Sequence, residues 1–164
     1  MILIGIGANL PSPEFGAPPQ SLEAALALIA KHGVRIVARS RWYRSAAVPP
    51  SDQPWFVNGI VAVETTLEPA ALLDVLHGIE ARFGRVRRER NEARVLDLDL
   101  IAYDERMSAA GESPVLPHPR LHERAFVLRP LAEIVPDWCH PRLGRTIASL
   151  MADLPSDAVA EPIQ

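Results

Sequence analysis

Short runs of branched apolar residues alternate with longer stretches of helical spacing along this chain. Residues 2–8, Ile2-Leu3-Ile4-Gly5-Ile6-Gly7-Ala8, predict a central strand whose glycines let another backbone or a ligand come close. Ser21 reads as the N-cap of a helix over 22–32, with Leu22, Ala25, Leu26 and Ile29 on one face and Gly33 as its stop. Alternation over 34–43 and β-branched residues over 56–66 predict two further strands. Pro69 sits where a first helical residue would, and Leu72, Val75, Leu76, Ile79 and Phe83 keep helical spacing up to Gly84. A fourth strand spans 95–102. The order strand–helix–strand–strand–helix–strand predicts an α+β fold of the ferredoxin-like βαββαβ kind, a four-stranded antiparallel sheet with two helices on one face.

Beyond residue 103 the pattern weakens into an irregular, Pro-rich C-terminal extension with short helices expected at 123–129 and 145–152. The 16 prolines cluster at 11–19, 49–54, 114–119 and 130–141, which marks long loops. The reading is one catalytic domain over 1–154 and a flexible tail over 155–164. At 164 residues the chain is long enough for a real core. A net charge of −3 argues against a general nucleic-acid binder. No stretch approaches the ~20 apolar residues of a membrane span, and the apolar start lacks the basic n-region of a signal peptide. Cys139, the single cysteine, fits a reducing compartment and reads as a small buried apolar side chain. The cytoplasm is the expected location.

Charge matters most in Leu96-Asp97-Leu98-Asp99-Leu100-Ile101. A strand sends residues i and i+2 to one face, so Asp97 and Asp99 project together while the leucines turn to a core. Adjacent carboxylates repel unless a cation lies between them, and all-oxygen ligands suit Mg²⁺. Just upstream stand Arg82, Arg85, Arg87, Arg88, Arg90 and Arg94. Either feature alone reads as a solvated surface; together they have the chemistry of a polyphosphate site. There is no P-loop, and Leu10 stands where a dinucleotide fingerprint needs its third glycine. A nucleotide would therefore be gripped by side chains, for which the planar guanidinium fork is suited.

Two more clusters carry polar chemistry. In Leu116-Pro117-His118-Pro119-Arg120-Leu121-His122-Glu123-Arg124-Ala125-Phe126, the His118/His122 spacing is that of some zinc sites, but no H-E-x-x-H is present. His118 and Arg124 make better nucleotide contacts. Ser45-Ala46-Ala47-Val48 with Asp52-Gln53-Pro54-Trp55-Phe56-Val57-Asn58 offers aromatic and amide groups to a planar heterocycle; Phe126 adds a second ring. Core aromatics and a turn asparagine are the plainer reading of those residues taken alone, as a surface i,i+4 partner is of Glu80.

In this order and at these separations the clusters resemble one family, the 6-hydroxymethyl-7,8-dihydropterin pyrophosphokinases of folate biosynthesis. The resemblance runs through Gly7-Ala8-Asn9, Asp52-Gln53-Pro54 to Asn58, Glu80 with Gly84-Arg85-Val86-Arg87, Arg94-Val95-Leu96-Asp97-Leu98-Asp99, and Leu116-Pro117-His118-Pro119 with Glu123-Arg124-Ala125-Phe126. It implies an ATP- and Mg-dependent transfer of a pyrophosphoryl group to the pterin's hydroxymethyl oxygen, releasing AMP. It also implies a ferredoxin-like fold, two Mg²⁺ ions on Asp97 and Asp99, and ATP held by Arg85, Arg87 and Arg94, with Arg85 and Arg94 assisting the transfer. Glu80, His118 and Arg124 match further nucleotide contacts; Ser45, Ala46, Val48, Phe56, Asn58 and Phe126 match the pterin pocket. The family's Trp-Gly-Pro-Arg is Asn91-Glu92-Ala93-Arg94 here, which keeps the arginine and removes an aromatic lid.

The expected partners are the two small-molecule substrates, with no protein partner and a monomeric state. Two other readings compete. A palm-type Mg-dependent nucleotidyltransferase also sets two carboxylates on such a sheet, but would release pyrophosphate. An RRM-like RNA binder needs aromatics on two strands, whereas residues 2–8 have none.

Overall fold

The computed structural model describes residues 1–47, 49–84 and 93–163. Its first strand, β1 (Ile2–Ala8), is flanked by β5 (Asp97–Tyr103) and by β4 (Phe56–Glu64), antiparallel on both sides. Along the other edge of β4 lie β2 (Arg35–Arg39) and β3 (Tyr43–Ser45), end to end and both antiparallel to it. A two-residue strand, β6 (Glu161–Pro162), adds to β3. The sheet therefore has six strands, in the order β5-β1-β4-β3-β6 with β2 also on β4, and not the expected four. The single strand expected over 34–43 is broken in two. A register shift falls between Ile36 and Ala38, and Ser40 to Trp42 belong to neither strand: the Ser40 amide still donates to the Ile60 carbonyl, but its hydroxyl, not its carbonyl, accepts from the Ile60 amide.

Helices α1 (Gln20–Lys31) and α2 (Pro69–Arg82) pack on one face. Pro69 opens α2 as expected, because its missing N–H is one the first turn does not use. Gly33 and Gly84 follow α1 and α2 at φ +78° and +88°, the left-handed conformation that ends a helix. Ser21 is not a cap: α1 starts at Gln20, and Ser21 is buried in its first turn. Leu22, Leu26, Ile29, Leu72, Leu76 and Ile79 close over Ile4, Ile6, Val61, Leu98 and Leu100.

Helices on one face only is the second correction. A 3₁₀ turn (Leu121–Glu123), α3 (Ala125–Ile134) and α4 (Ile147–Ala152) cover the other face, burying Leu121, Val127, Leu128, Leu131, Ile147 and Leu150 against Leu3, Ile60, Ala62 and Ile101. Near-continuous burial along β1 and β4 follows from this two-sided cover. Pro130 lies inside α3 and removes the hydrogen bond its N–H would make to Phe126, a loss offset by the apolar face around it.

The segment read as a frayed tail is tied back: Ala160 is buried with Tyr43 and Ala125, and the Ile163 amide donates to the Trp42 carbonyl. Cys139, expected to be buried, is exposed. At one end of the sheet Ile2 pairs with Val63 and Tyr103, and the Met1 ammonium meets Asp104. The opposite end, where β1 finishes and β4 and β5 begin, carries the polar residues. No helix among the described residues is long and apolar enough to cross a membrane.

Candidate active site

Strand alternation sends Asp97 and Asp99 to the face covered by α3, away from Leu98 and Leu100. On β1, Gly7 is opposite Asp97 and Gly5 is opposite Asp99, so β1 sets no side chain of its own beside the carboxylates. Asn58, on β4, is paired with Gly7 from the other side. A Cβ on Gly7 would lie 2.4 Å from the Asn58 Oδ1, so this glycine is what lets the Asn58 amide lie flat against β1. Asn58 is buried and donates through Nδ2 to the Ser45 hydroxyl at 2.8 Å. A small recess of about 20 Å³ between Gly5, Gly7, Asp97, Asp99, Asn58 and Phe126 joins these groups.

Above it opens a cavity of about 170 Å³. Ser45, Ala46, Phe56, Asn58 and Phe126 line it together with Arg94, Asp97 and Arg124. The Arg94 Nη1 donates to the Asp97 Oδ2 at 2.8 Å, while its Nε is buried with no partner among the described residues. Arg124 lies over the Phe126 ring, 5.3 Å from its centroid. Burial lowers the Arg124 pKa, against an opposing pull from Asp99. Burial, then the charge of Asp97, pushes Asp99 up to about 7. Two neighbouring carboxylates, which are all-oxygen donors with glycines opposite, fit a hard divalent cation.

Other expected residues are placed elsewhere. Glu80 is 2% exposed and accepts from the Leu98 amide at 2.9 Å, so it braces β5 between the two aspartates from the opposite side. The His118 amide donates to the Ile101 carbonyl and pins its loop to the edge of β5. Its ring borders a second cavity of about 430 Å³, with His122, His140 and Arg142, and not the first. The His118 Nδ1 accepts from the Arg120 amide at 3.2 Å, which leaves Nε2 to carry the ring proton. Burial, then the charge of Arg124, holds this ring down to about 4, so it is neutral at physiological pH. Arg85, Arg87 and Val48 lie outside the described residues.

The cavity also takes in Ala47, Arg120 and Glu123, which the sequence reading did not single out. For the last two the signal was their i,i+3 spacing across a 3₁₀ turn, which sets both on one side.

The family model described as 7,8-dihydro-6-hydroxymethylpterin-pyrophosphokinase (HPPK) matches residues 3–136. A 2-amino-4-hydroxy-6-hydroxymethyldihydropteridine pyrophosphokinase of Synechocystis is 41% identical over 158 residues, 96% of this chain and 77% of its own length. Its counterpart in Methylorubrum extorquens is 43% identical over 152 residues, 92% of this chain and 91% of its own. Among solved structures, the wild-type HPPK-DHPS of Plasmodium falciparum with pteroate superposes with a TM-score of 0.69 at 14% identity. That match covers 92% of this chain and 43% of the longer protein, and it is a likeness of fold.

Proposed function

This chain belongs to the 7,8-dihydro-6-hydroxymethylpterin-pyrophosphokinase family, and from that premise we infer how its cleft works. The enzyme transfers a pyrophosphoryl group from ATP to the hydroxymethyl oxygen of 6-hydroxymethyl-7,8-dihydropterin, giving the pterin diphosphate and AMP in folate biosynthesis. The observation that carries the reading of the site is one cavity that gathers an amide, a hydroxyl and aromatic rings with arginines and the Asp97 carboxylate.

In this reading Phe56 and Phe126 flank the pterin, and the Asn58 amide, set by Ser45, faces its edge. The pterin oxygen bonds to the β-phosphorus as the bond from that phosphorus to the α,β-bridging oxygen breaks. AMP leaves with those electrons, and the hydroxyl proton passes to solvent. Arg94, whose Nε has no partner among the described residues, and Arg124 face the charge that builds on the phosphoryl oxygens, where fixed cations in a desolvated cleft act most strongly. Arg85 and Arg87 would add to that grip; Glu80 and His118 would act by fixing β5 and the loop on its edge. Asp97 and Asp99 would hold two Mg²⁺ ions, whose chemistry is to neutralise triphosphate charge.

We also read the sheet as an elaborated ferredoxin-like core, β2 and β3 together standing for one strand, followed by a Pro-rich extension. One catalytic domain over 1–154, a monomeric state, no protein or nucleic-acid partner and a cytoplasmic location complete the proposal.

The test is to incubate the protein with ATP, Mg²⁺ and the hydroxymethyl pterin and identify the nucleotide product. AMP with a pterin diphosphate is the expected result. ADP alone, or free pyrophosphate as a nucleotidyltransferase would release, overturns the reading.

A further inference from the structure

One buried amide ties together two segments that border the cleft without lining it. Asn9 follows the last residue of β1 and is 6% exposed. Its Nδ2 donates to the Gln53 Oε1 at 3.1 Å and to the Pro54 carbonyl at 3.0 Å. Its Oδ1 accepts from the Arg94 amide at 2.7 Å, and its own amide and that of Leu10 donate to the Arg94 carbonyl at 2.9 and 3.0 Å. Both backbone groups of Arg94 are thus held by the end of β1, and the side chain they set in place reaches Asp97. On the other side, Pro54 stands two residues before Phe56 and four before Asn58, both of which line the cavity.

We propose that Asn9 is a positioning residue that fixes the separation between the two lips of the cleft, the 53–56 lip that carries the heterocycle and the Arg94 lip that faces the phosphates. The proposal rests on the pyrophosphokinase reading for the names of the two ligands. In-line transfer depends on the relative placement of the two reactants more than on either affinity, and a misplacement of about 1 Å costs about 10²-fold in rate. No other residue type supplies two donors and an acceptor from so short a side chain. Aspartate keeps the acceptor for the Arg94 amide but sets an oxygen against the Pro54 carbonyl, which cannot turn away. Alanine releases both lips.

The test compares Asn9→Ala and Asn9→Asp with the wild-type chain. Four quantities are read: kcat, the separate Kd values of the pterin and of a non-hydrolysable ATP analogue with Mg²⁺, and amide exchange at Arg94. The expected result for Asn9→Ala is a kcat about 10²-fold lower with each ligand bound alone within about threefold of wild type. In Asn9→Ala the Arg94 amide exchanges about tenfold faster, in line with one lost hydrogen bond. In Asn9→Asp that amide keeps its wild-type protection while kcat still falls about tenfold. An unchanged kcat in both variants, or a fall matched by equal losses of both affinities, overturns the proposal. If Asn9→Ala does not fold, Asn9→Asp alone decides between these outcomes. A wild-type chain that makes no pterin diphosphate overturns the function, not the clamp; the Arg94 exchange pattern then stands as the judge of the clamp.

Discussion

On β5, Leu98 and Leu100 face α1 and α2 while Asp97 and Asp99, their immediate neighbours, face the cleft under α3. The first face is a dry, interlocked core in which each side chain is held by packing. The second has an apolar part at Leu3, Ile60, Ala62 and Ile101; at the site end β1 carries glycines in place of side chains and charge is set against charge. One strand thus serves two ends, and its alternation keeps them separate. Both faces contribute packing, and only the site end of the second holds groups that by themselves oppose folding.

The sharpest way to break this contrast is to cut neighbouring residues. Asp99→Ala is expected to lower turnover by about 10³-fold or more, without lowering the melting temperature measured in EDTA at pH 8. Asp99 is pushed up to about 7 from the ordinary 3.8, so the folded chain binds more protons than the unfolded one between those values. Stability from this group therefore falls as pH rises through that window, and its removal relieves the folded state above it. Leu98→Ala should do the reverse, costing about 2–5 kcal/mol of stability while the folded fraction keeps most of its turnover. Equal loss of stability in the two variants would abolish the division of labour.

A smaller effect is expected from adding one methyl group to β1. Gly7→Ala drives the Asn58 Oδ1 from its place and breaks its link to Ser45, so pterin affinity should fall about tenfold with ATP-analogue affinity little changed. Gly5→Ala meets the Ile101 Cδ1 at 3.3 Å, with its other contacts at ordinary distances of 3.5 and 3.6 Å, and should be tolerated. Titration calorimetry on both variants checks the pair; equal losses would mean the glycines act through strand flexibility and not through Asn58.

The smallest effect is a pH slope at the loop on the edge of β5. His118 is held down to about 4 from 6.5, so between those values the unfolded chain binds the extra proton. Stability should rise with pH across that window and be lost as pH falls toward 4. His118→Asn, whose amide oxygen can still accept from the Arg120 amide, should flatten that slope in urea melts at pH 4.5–6.5. An unchanged slope would show that the ring is not the group responsible.

The legible parts of the molecule were those written in local periodicity. Strand spacing put Asp97 and Asp99 on one face, and helical spacing with Pro69 and Gly84 fixed α2 almost to the residue. Ser45, Phe56, Asn58 and Phe126 were readable as a group through the family resemblance, and they line one cavity. What escaped depends on long-range pairing. The break at Ser40–Trp42 exists because that hydroxyl meets a strand 20 residues away, and α3 forms despite Pro130 because a sheet face waits for it. Glu80 reads from its helix as a surface charge; only the docking of α2 beside β5 brings it to the Leu98 amide. Asn9 was visible as part of a motif, but its three partners are 44 to 85 residues distant.

The polar groups gather where β1 finishes, and the Met1 ammonium rests on Asp104 at the other rim of the sheet. A seven-residue strand separates those rims by about 20 Å. Cargo appended ahead of residue 1, whether a reporter or another catalytic module, would consequently hang from the blind side and leave substrate traffic unobstructed.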